Sequence, residues 1–391
     1  MDETITVKRL SGGNSIYTSS PSSTYTPLEI IQETILCRLP VKSLQRFRCV
    51  CKPWDSLISK DLKFAKKHLR VSPKRQHLLT ATWRKDEELT EELTEELKLT
   101  VMSYPFDSLN LHSIFDSKST QLDYSLIMSI YQRPIASCDG ILCFGINQRQ
   151  VVLYNPCIRK LQKLPCLQRV EGNSTHYTFG YDPFIDNYKV VAVFNSYETQ
   201  VEVHSYTLGT DSWKRIKDFP SMFSFNGILN GILHGIFMRG TVNWLTYSES
   251  TNSDAIVSLH LGKESYQQIS LPFNCFGLYV MRECLCVFEI SQEEWSDTFI
   301  DVWLMKEYGN KESWIKLFHL PCFSSYADFA DIVYISEDNH MLHVFRNHRK
   351  FKWAIYDFKN DTFTVKSSQT EDNLSIVIDS QVYVESLMSP S

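Results

Sequence analysis

No run of roughly 18 apolar residues, the length a helix needs to cross a bilayer, occurs in this 391-residue chain. The opening Met1-Asp2-Glu3-Thr4 lacks the basic start and apolar stretch of a secretory leader. The sequence therefore predicts a soluble, intracellular protein, cytoplasmic or nuclear, with no membrane partner. No Cys-x-x-Cys pair occurs among 11 scattered cysteines, an odd number. That pattern points to buried, reduced thiols rather than a disulfide frame or a zinc site. A formal net charge of −5 offers no general attraction for polyanions, which argues against a nucleic-acid partner. There is no Gly-x-Ser-x-Gly, no phosphate-binding loop, no His-Glu-x-x-His and no dinucleotide glycine fingerprint. His340 and His343 are three apart, but the local pattern is that of a strand, which would send them to opposite faces. No catalytic, cofactor or metal site is predicted.

Aromatic residues are plentiful: 23 Phe, 19 Tyr and 8 Trp, a composition that leans towards strands. A chain of this length suggests two or three domains. Residues 1–24 are polar and serine-rich and read as a disordered tail. Residues 25–70 read as a module of three short helices. Leu28, Ile31, Ile35 and Leu39 recur at intervals of three and four, so they share one helix face. Pro40 stops that helix. Ser43 is placed to cap a second helix with Leu44 and Phe47 inward, and a third passes through Trp54, Leu57 and Ile58. A unit of about 40 residues is near the lower limit of independent stability, so it should complete its core against the rest of the chain.

Residues 71–129 read as a linker with the first strands. The basic run from Phe64 to His77 fits a solvated helix face and linker, with nuclear import or nucleic-acid contact as the rival. Glu87-Glu88-Leu89-Thr90 then recurs as Glu91-Glu92-Leu93-Thr94 and Glu95-Glu96-Leu97-Lys98. The repeat reads as an expanded loop between strands at His77–Trp83 and Leu99–Tyr104, with an acidic docking site as the rival.

From Ile130 onward, short runs of Val, Ile, Tyr, Phe and Trp alternate with Gly, Asn, Asp and Pro, which is strand-and-turn punctuation. Larger units end at Leu164-Pro165, Phe219-Pro220, Leu271-Pro272 and Leu320-Pro321, with a period of about 45 to 55 residues, as in kelch-like propeller blades. One such sheet cannot bury both faces alone, so units must stack around an axis. The terminal run Leu374–Leu387 is expected to share a blade with the strands near His77–Tyr104, closing the ring. The expectation is an all-β propeller of about six blades over residues 130–391, with a β-sandwich or two smaller barrels as the structural rival.

Trp213, Trp244, Trp303, Trp314 and Trp353 recur at similar places in successive units and read as blade packing. Recognition on such a scaffold belongs to rim loops: Gln168–Tyr177, Met222–Gly235, Tyr247–Asp254 and Glu289–Asp297. Phe223, Phe225 and Ile228 are unusually apolar for a loop. They read equally as an exposed target-binding patch or as residues buried against a neighbouring blade.

Two blocks of residues carry a resemblance. Pro27-Leu28-Glu29-Ile30-Ile31, Arg38 to Leu44, and Arg46 to Lys52 with Trp54 resemble an F-box, of the plant type in particular. Tyr154-Asn155-Pro156, Phe179-Gly180-Tyr181-Asp182, Ser212-Trp213-Lys214, Gly240 to Leu245, and Val302 to Lys306 with Tyr308 resemble the associated interaction domain of plant F-box proteins. S-locus-type and immune-regulating members look most similar. The resemblance implies a non-catalytic substrate receptor of a Skp–cullin–F-box ubiquitin ligase, with a Skp-family adaptor, a cullin and a target protein as partners. It implies adaptor docking through Leu28, Ile31, Ile35, Leu36, Leu39, Pro40, Leu44, Val50 and Trp54. Thr34 is one residue more than family members have between Ile31 and Ile35, which would turn the first helical turn by about 100°. A protein-binding scaffold with a weakened F-box is therefore one alternative. A propeller enzyme is the other.

Overall fold

The computed structural model describes residues 31–391 apart from 86–96, 108–109, 123–135, 148, 169–173, 196–200, 221–222, 225–234, 249–250, 273, 293–297, 322–329, 337, 348–349 and 368–374. The described chain begins with a wide, π-type helical turn, Ile31–Ile35, and a tight turn, Leu36–Arg38. Helices α1 (Val41–Phe47), α2 (Lys52–Lys60) and α3 (Leu62–Val71) follow. Helix α1 starts earlier than Ser43. The Pro40 carbonyl accepts from the Ser43 and Leu44 amides, and Pro40 holds the extended backbone of a helix-capping position. Proline has no amide hydrogen to leave unpaired there, so Ser43 is drawn inside the helix. Asp61 caps α3, its carboxylate accepting from the Phe64 amide. The basic run lies mostly on α3, whose inner side presents Phe64, Ala65 and His68.

Six antiparallel sheets follow. The first holds β1 (Gln76–Lys85) and β2 (Leu97–Phe106), then, after the short α4 (Ser113–Asp116), β3 (Thr120–Leu122). The second has β4 (Ala136–Cys138), β5 (Ile141–Asn147), β6 (Gln150–Asn155) and β7 (Lys160–Lys163). The third has β8 (Ser174–Asp182), β9 (Asn187–Asn195), β10 (Glu202–Thr207) and β11 (Lys214–Arg215). In the fourth, β12 (Phe223–Ser224) and β13 (Ile236–Met238) both pair with β14 (Thr241–Ser248), followed by β15 (Ser253–His260) and β16 (Ser265–Ser270). The fifth has β17 (Gly277–Met281), β18 (Cys284–Gln292), β19 (Thr298–Met305) and β20 (Trp314–Pro321). The sixth has β21 (Ala330–Ile335), β22 (His340–Asn347), β23 (Lys350–Asp357) and β24 (Thr362–Ser367). The last strand, β25 (Ser375–Val384), returns to pair with β1, giving the order β25-β1-β2-β3.

Strands β4, β8 and β13 touch in succession, as do β13 and β17, and β25 contacts both β4 and β21. The leading strand of each sheet thus faces the axis, and the sheets are the blades of a six-bladed propeller closed by the C-terminal strand. The blades begin at Gln76, earlier than residue 130, because β1 to β3 complete the closing blade. Closure leaves no inner edge strand at the seam. Central strands are buried on both faces: Val191, Val193, Val257, Val287 and Ile355 lie in blade-to-blade clusters. Trp244, Trp314 and Trp353 are buried there too, while Trp213 and Trp303 are half-buried. Cys138, Cys143, Cys275 and Cys286 are free and buried, and burial pushes the Cys286 thiol up to about 12. Cys49, Cys51 and Cys166 are exposed, contrary to the expectation of burial, because they lie in turns outside the sheets.

Candidate functional site

Antiparallel pairing fixes which strand ends share a face. In each blade the first-to-second and third-to-fourth turns lie on one side of the ring, and the second-to-third and blade-to-blade connections lie on the other. The helices sit on the first side. Leu36, Cys37, Val41, Leu44, Ile58, Phe64 and Ala65 form one continuous core with Cys138, Ile141, Cys143, Leu164, Phe179, Tyr188, Leu387 and Met388. The small module therefore completes its core on the second and third blades and the C-terminal segment. At the edge of this seat, Lys66 on α3 pairs with the Asp186 carboxylate in the β8–β9 turn and lies 5.7 Å over the Tyr181 ring. Tyr181 also donates to Asp186, and the Lys66 ammonium is the main cause that lowers the Asp186 pKa.

Asn155 of the Tyr-Asn-Pro motif ties down the C-terminus. Fully buried, its Nδ2 donates to the Ser386 carbonyl at 3.1 Å and the Met388 carbonyl at 2.8 Å, and its Oδ1 accepts from the Cys157 amide at 2.9 Å. Gly140 serves the same seam. At φ +78° it completes the β4–β5 turn, and a Cβ there would stand 2.5 Å from the Val384 carbonyl oxygen.

The residues implied for adaptor docking divide by exposure. Leu36 and Leu44 are buried, and Ile31, Leu39, Pro40 and Trp54 are half-buried; Trp54 packs on Phe47 with ring centroids 5.6 Å apart. Ile35 is 49% and Val50 63% exposed. Leu28 lies outside the described residues. His68, 2% exposed, meets the Leu39 carbonyl through Nε2 at 2.8 Å, so α3 supports the Leu39–Pro40 corner. Burial holds the His68 pKa below its ordinary value, which fits a neutral ring donating from Nε2. Thr34, expected from the resemblance to be one residue more than usual, falls within the wide turn, the form in which a helix takes up an extra residue, and Arg38 Nη1 donates to its carbonyl at 2.7 Å. Leu62, outside the set implied for docking, is 54% exposed at the first position of α3 and lies off the Phe64–His68 stripe.

The strand ends flanking the four rim loops Gln168–Tyr177, Met222–Gly235, Tyr247–Asp254 and Glu289–Asp297 all belong to the side opposite the helices. So do those flanking the acidic repeat, which joins β1 to β2. Of the predicted target-binding residues, Phe223 lies in β12 with its backbone opposite Ser248; Phe225 and Ile228 lie outside the described residues. His340 and His343 do lie on one strand, β22. His343 packs buried against Phe363, whereas His340 lies 3.5 Å from the Asp357 carboxylate.

The sequence profiles of two known domains agree with this architecture. Residues 27–66 match the sequence profile of the F-box domain, and residues 93–390 match that of the F-box associated beta propeller domain. An F-box/kelch-repeat protein of Arabidopsis thaliana is 30% identical over 384 residues, covering 93% of this chain and 96% of the relative. The F-box protein CPR1 of the same plant is 25% identical over 393 residues, covering 91% and 88%. Among solved structures, TolB from Acinetobacter baumannii aligns with a TM-score of 0.45 at 10% identity, over 78% of this chain and 66% of that one. The chain belongs to the F-box proteins that carry an F-box associated β-propeller domain.

Proposed function

We propose that this protein is the substrate receptor of a Skp–cullin–F-box ubiquitin ligase. The F-box helices dock on a Skp-family adaptor, and the loops on the opposite side of the propeller hold a target protein. The observation that carries this reading is the single core running from α1, α2 and α3 into the blades. A rigid body with helices on one side and rim loops on the other holds a target at a fixed distance from the ligase. A tethered target meets the ubiquitin-charged enzyme at high effective concentration, so this chain needs no chemistry of its own. The scaffold alternative drew on Thr34, and the wide turn at Ile31–Ile35 takes up that residue while Leu36 and Leu44 remain buried.

Ile35 and Val50 give the cleanest test, because both are exposed and neither supports the core. The intact chain should co-purify with a Skp-family adaptor. The Ile35→Glu, Val50→Glu double variant should fold with an unchanged circular dichroism spectrum and lose most of that recovery. Equal recovery of the variant would overturn the docking assignment.

A further inference from the structure

Charge is divided very unevenly along this chain. Residues 31–75, which span the helices and the linker to the first blade, carry twelve Lys or Arg against three Asp or Glu. That is a formal +9 within a chain of −5, so the rest of the molecule carries −14. Little of the basic charge is used internally. Arg48 pairs with Asp55 at 2.9 Å and Lys66 with Asp186. Among the described residues, Lys42, Arg46, Lys52, Lys60, Lys63 and Arg70 are exposed and form no ion pair. Lys42 and Arg46 are four apart on α1, and Lys63 and Arg70 are seven apart on α3, so each pair stands on one helix face. Those faces lie away from Val41 and Leu44, and from Phe64 and His68, which point into the core. Ile35, Val50 and Leu62 are exposed on the same module.

We propose that the F-box surface takes an acidic partner with an aliphatic contact face, and that long-range electrostatic steering sets the rate of docking. This rests on the receptor reading and specifies the chemistry of the Skp-family adaptor that fits. Exposed aliphatic side chains amid basic ones suit a protein interface with an apolar centre and a charged rim. Nucleic acid fits less well: Phe64 is buried, and Phe47 and Trp54 are half-buried against each other, which leaves no aromatic platform for bases among the described residues of the module. The separation of +9 from −14 also orients the encounter. An acidic adaptor is drawn to the helices and repelled by the propeller, so the target-binding side stays clear.

The test measures association of the full-length chain with purified Skp-family adaptor between about 50 and 300 mM salt. The association rate constant should fall about tenfold or more over that range, with the dissociation rate nearly constant. The Lys63→Glu, Arg70→Glu variant, changed only at exposed positions, should reproduce much of that loss at low salt. Adaptor binding at a rate that ignores salt would overturn this inference and leave the receptor reading standing. Absence of adaptor binding at every salt concentration would overturn both. A DNA duplex held more tightly than the adaptor at the same salt would assign the surface to nucleic acid and overturn the inference.

Discussion

Asn155 and Gly140 are small residues whose replacement should be felt across the whole ring. Asn155→Ala leaves the Ser386 and Met388 carbonyls without their buried donor, which costs about 3 kcal/mol at such a site. Gly140→Ala places a Cβ against the Val384 carbonyl at a positive φ and should be at least as damaging. Chemical denaturation of both variants should show a lowered midpoint; an unchanged midpoint would mean that the C-terminal segment is held some other way. Acid should also weaken the fold. Burial lowers the His343 and His176 pKa values to about 4, below the ordinary value of about 6.5. The unfolded chain therefore binds more protons than the fold between pH 6.5 and 4, and stability falls as pH drops through that window. His343 alone accounts for about 3 kcal/mol by pH 4. His343→Leu should flatten the pH dependence of the urea midpoint between pH 7 and 5. At this scale the sequence was half legible. Tyr154-Asn155-Pro156 stood out as a motif, but its role depends on a chain end more than two hundred residues away.

The elements themselves were easier to read. In the blades after the first, the second, third and fourth strands fell where the strand-and-turn punctuation put them, because β-branched and aromatic runs between Gly, Asn and Asp have few other stable forms. The inner strands β17 and β21 were not legible as strands. The helices were less legible. The start of α1 was displaced by Pro40, and the wide turn at Ile31–Ile35 has no propensity signature. The fourth blade has an inner strand in two pieces, β12 and β13, which no local pattern announced. Strand β25 supplies a sharp test of closure. A chain ending at residue 374 loses the partner of β1, the ligands of Asn155, and Leu387 and Met388 under the helices. Such a chain should aggregate or bind a hydrophobic dye, whereas removal of Ser391 alone should have no effect. A monomeric, cooperatively folding truncation would show that the ring does not need its closing strand.

Across the whole molecule, the seat of the F-box is apolar rather than ionic. Lys66→Ala should barely move the unfolding transition, since its partner Asp186 is a solvated turn residue. Phe64→Ala empties part of the shared core and should cost about 3 kcal/mol. If the F-box and propeller are one cooperative unit, that loss lowers a single transition; two separated transitions would mean independent domains. The blade period, a count of about six, helices within residues 25–70 and the closing C-terminal run were legible in the sequence, because hydrophobic periodicity and turn residues act over a few positions and an open ring would leave free edges. Packing in three dimensions settled which side of the ring carries the helices and which of the docking residues are exposed. Ile35 and Leu36 are adjacent in the chain and alike in chemistry, yet one is 49% exposed and the other 1%. The direction in which a blade-sized surface approaches separates them, and no local pattern records that direction.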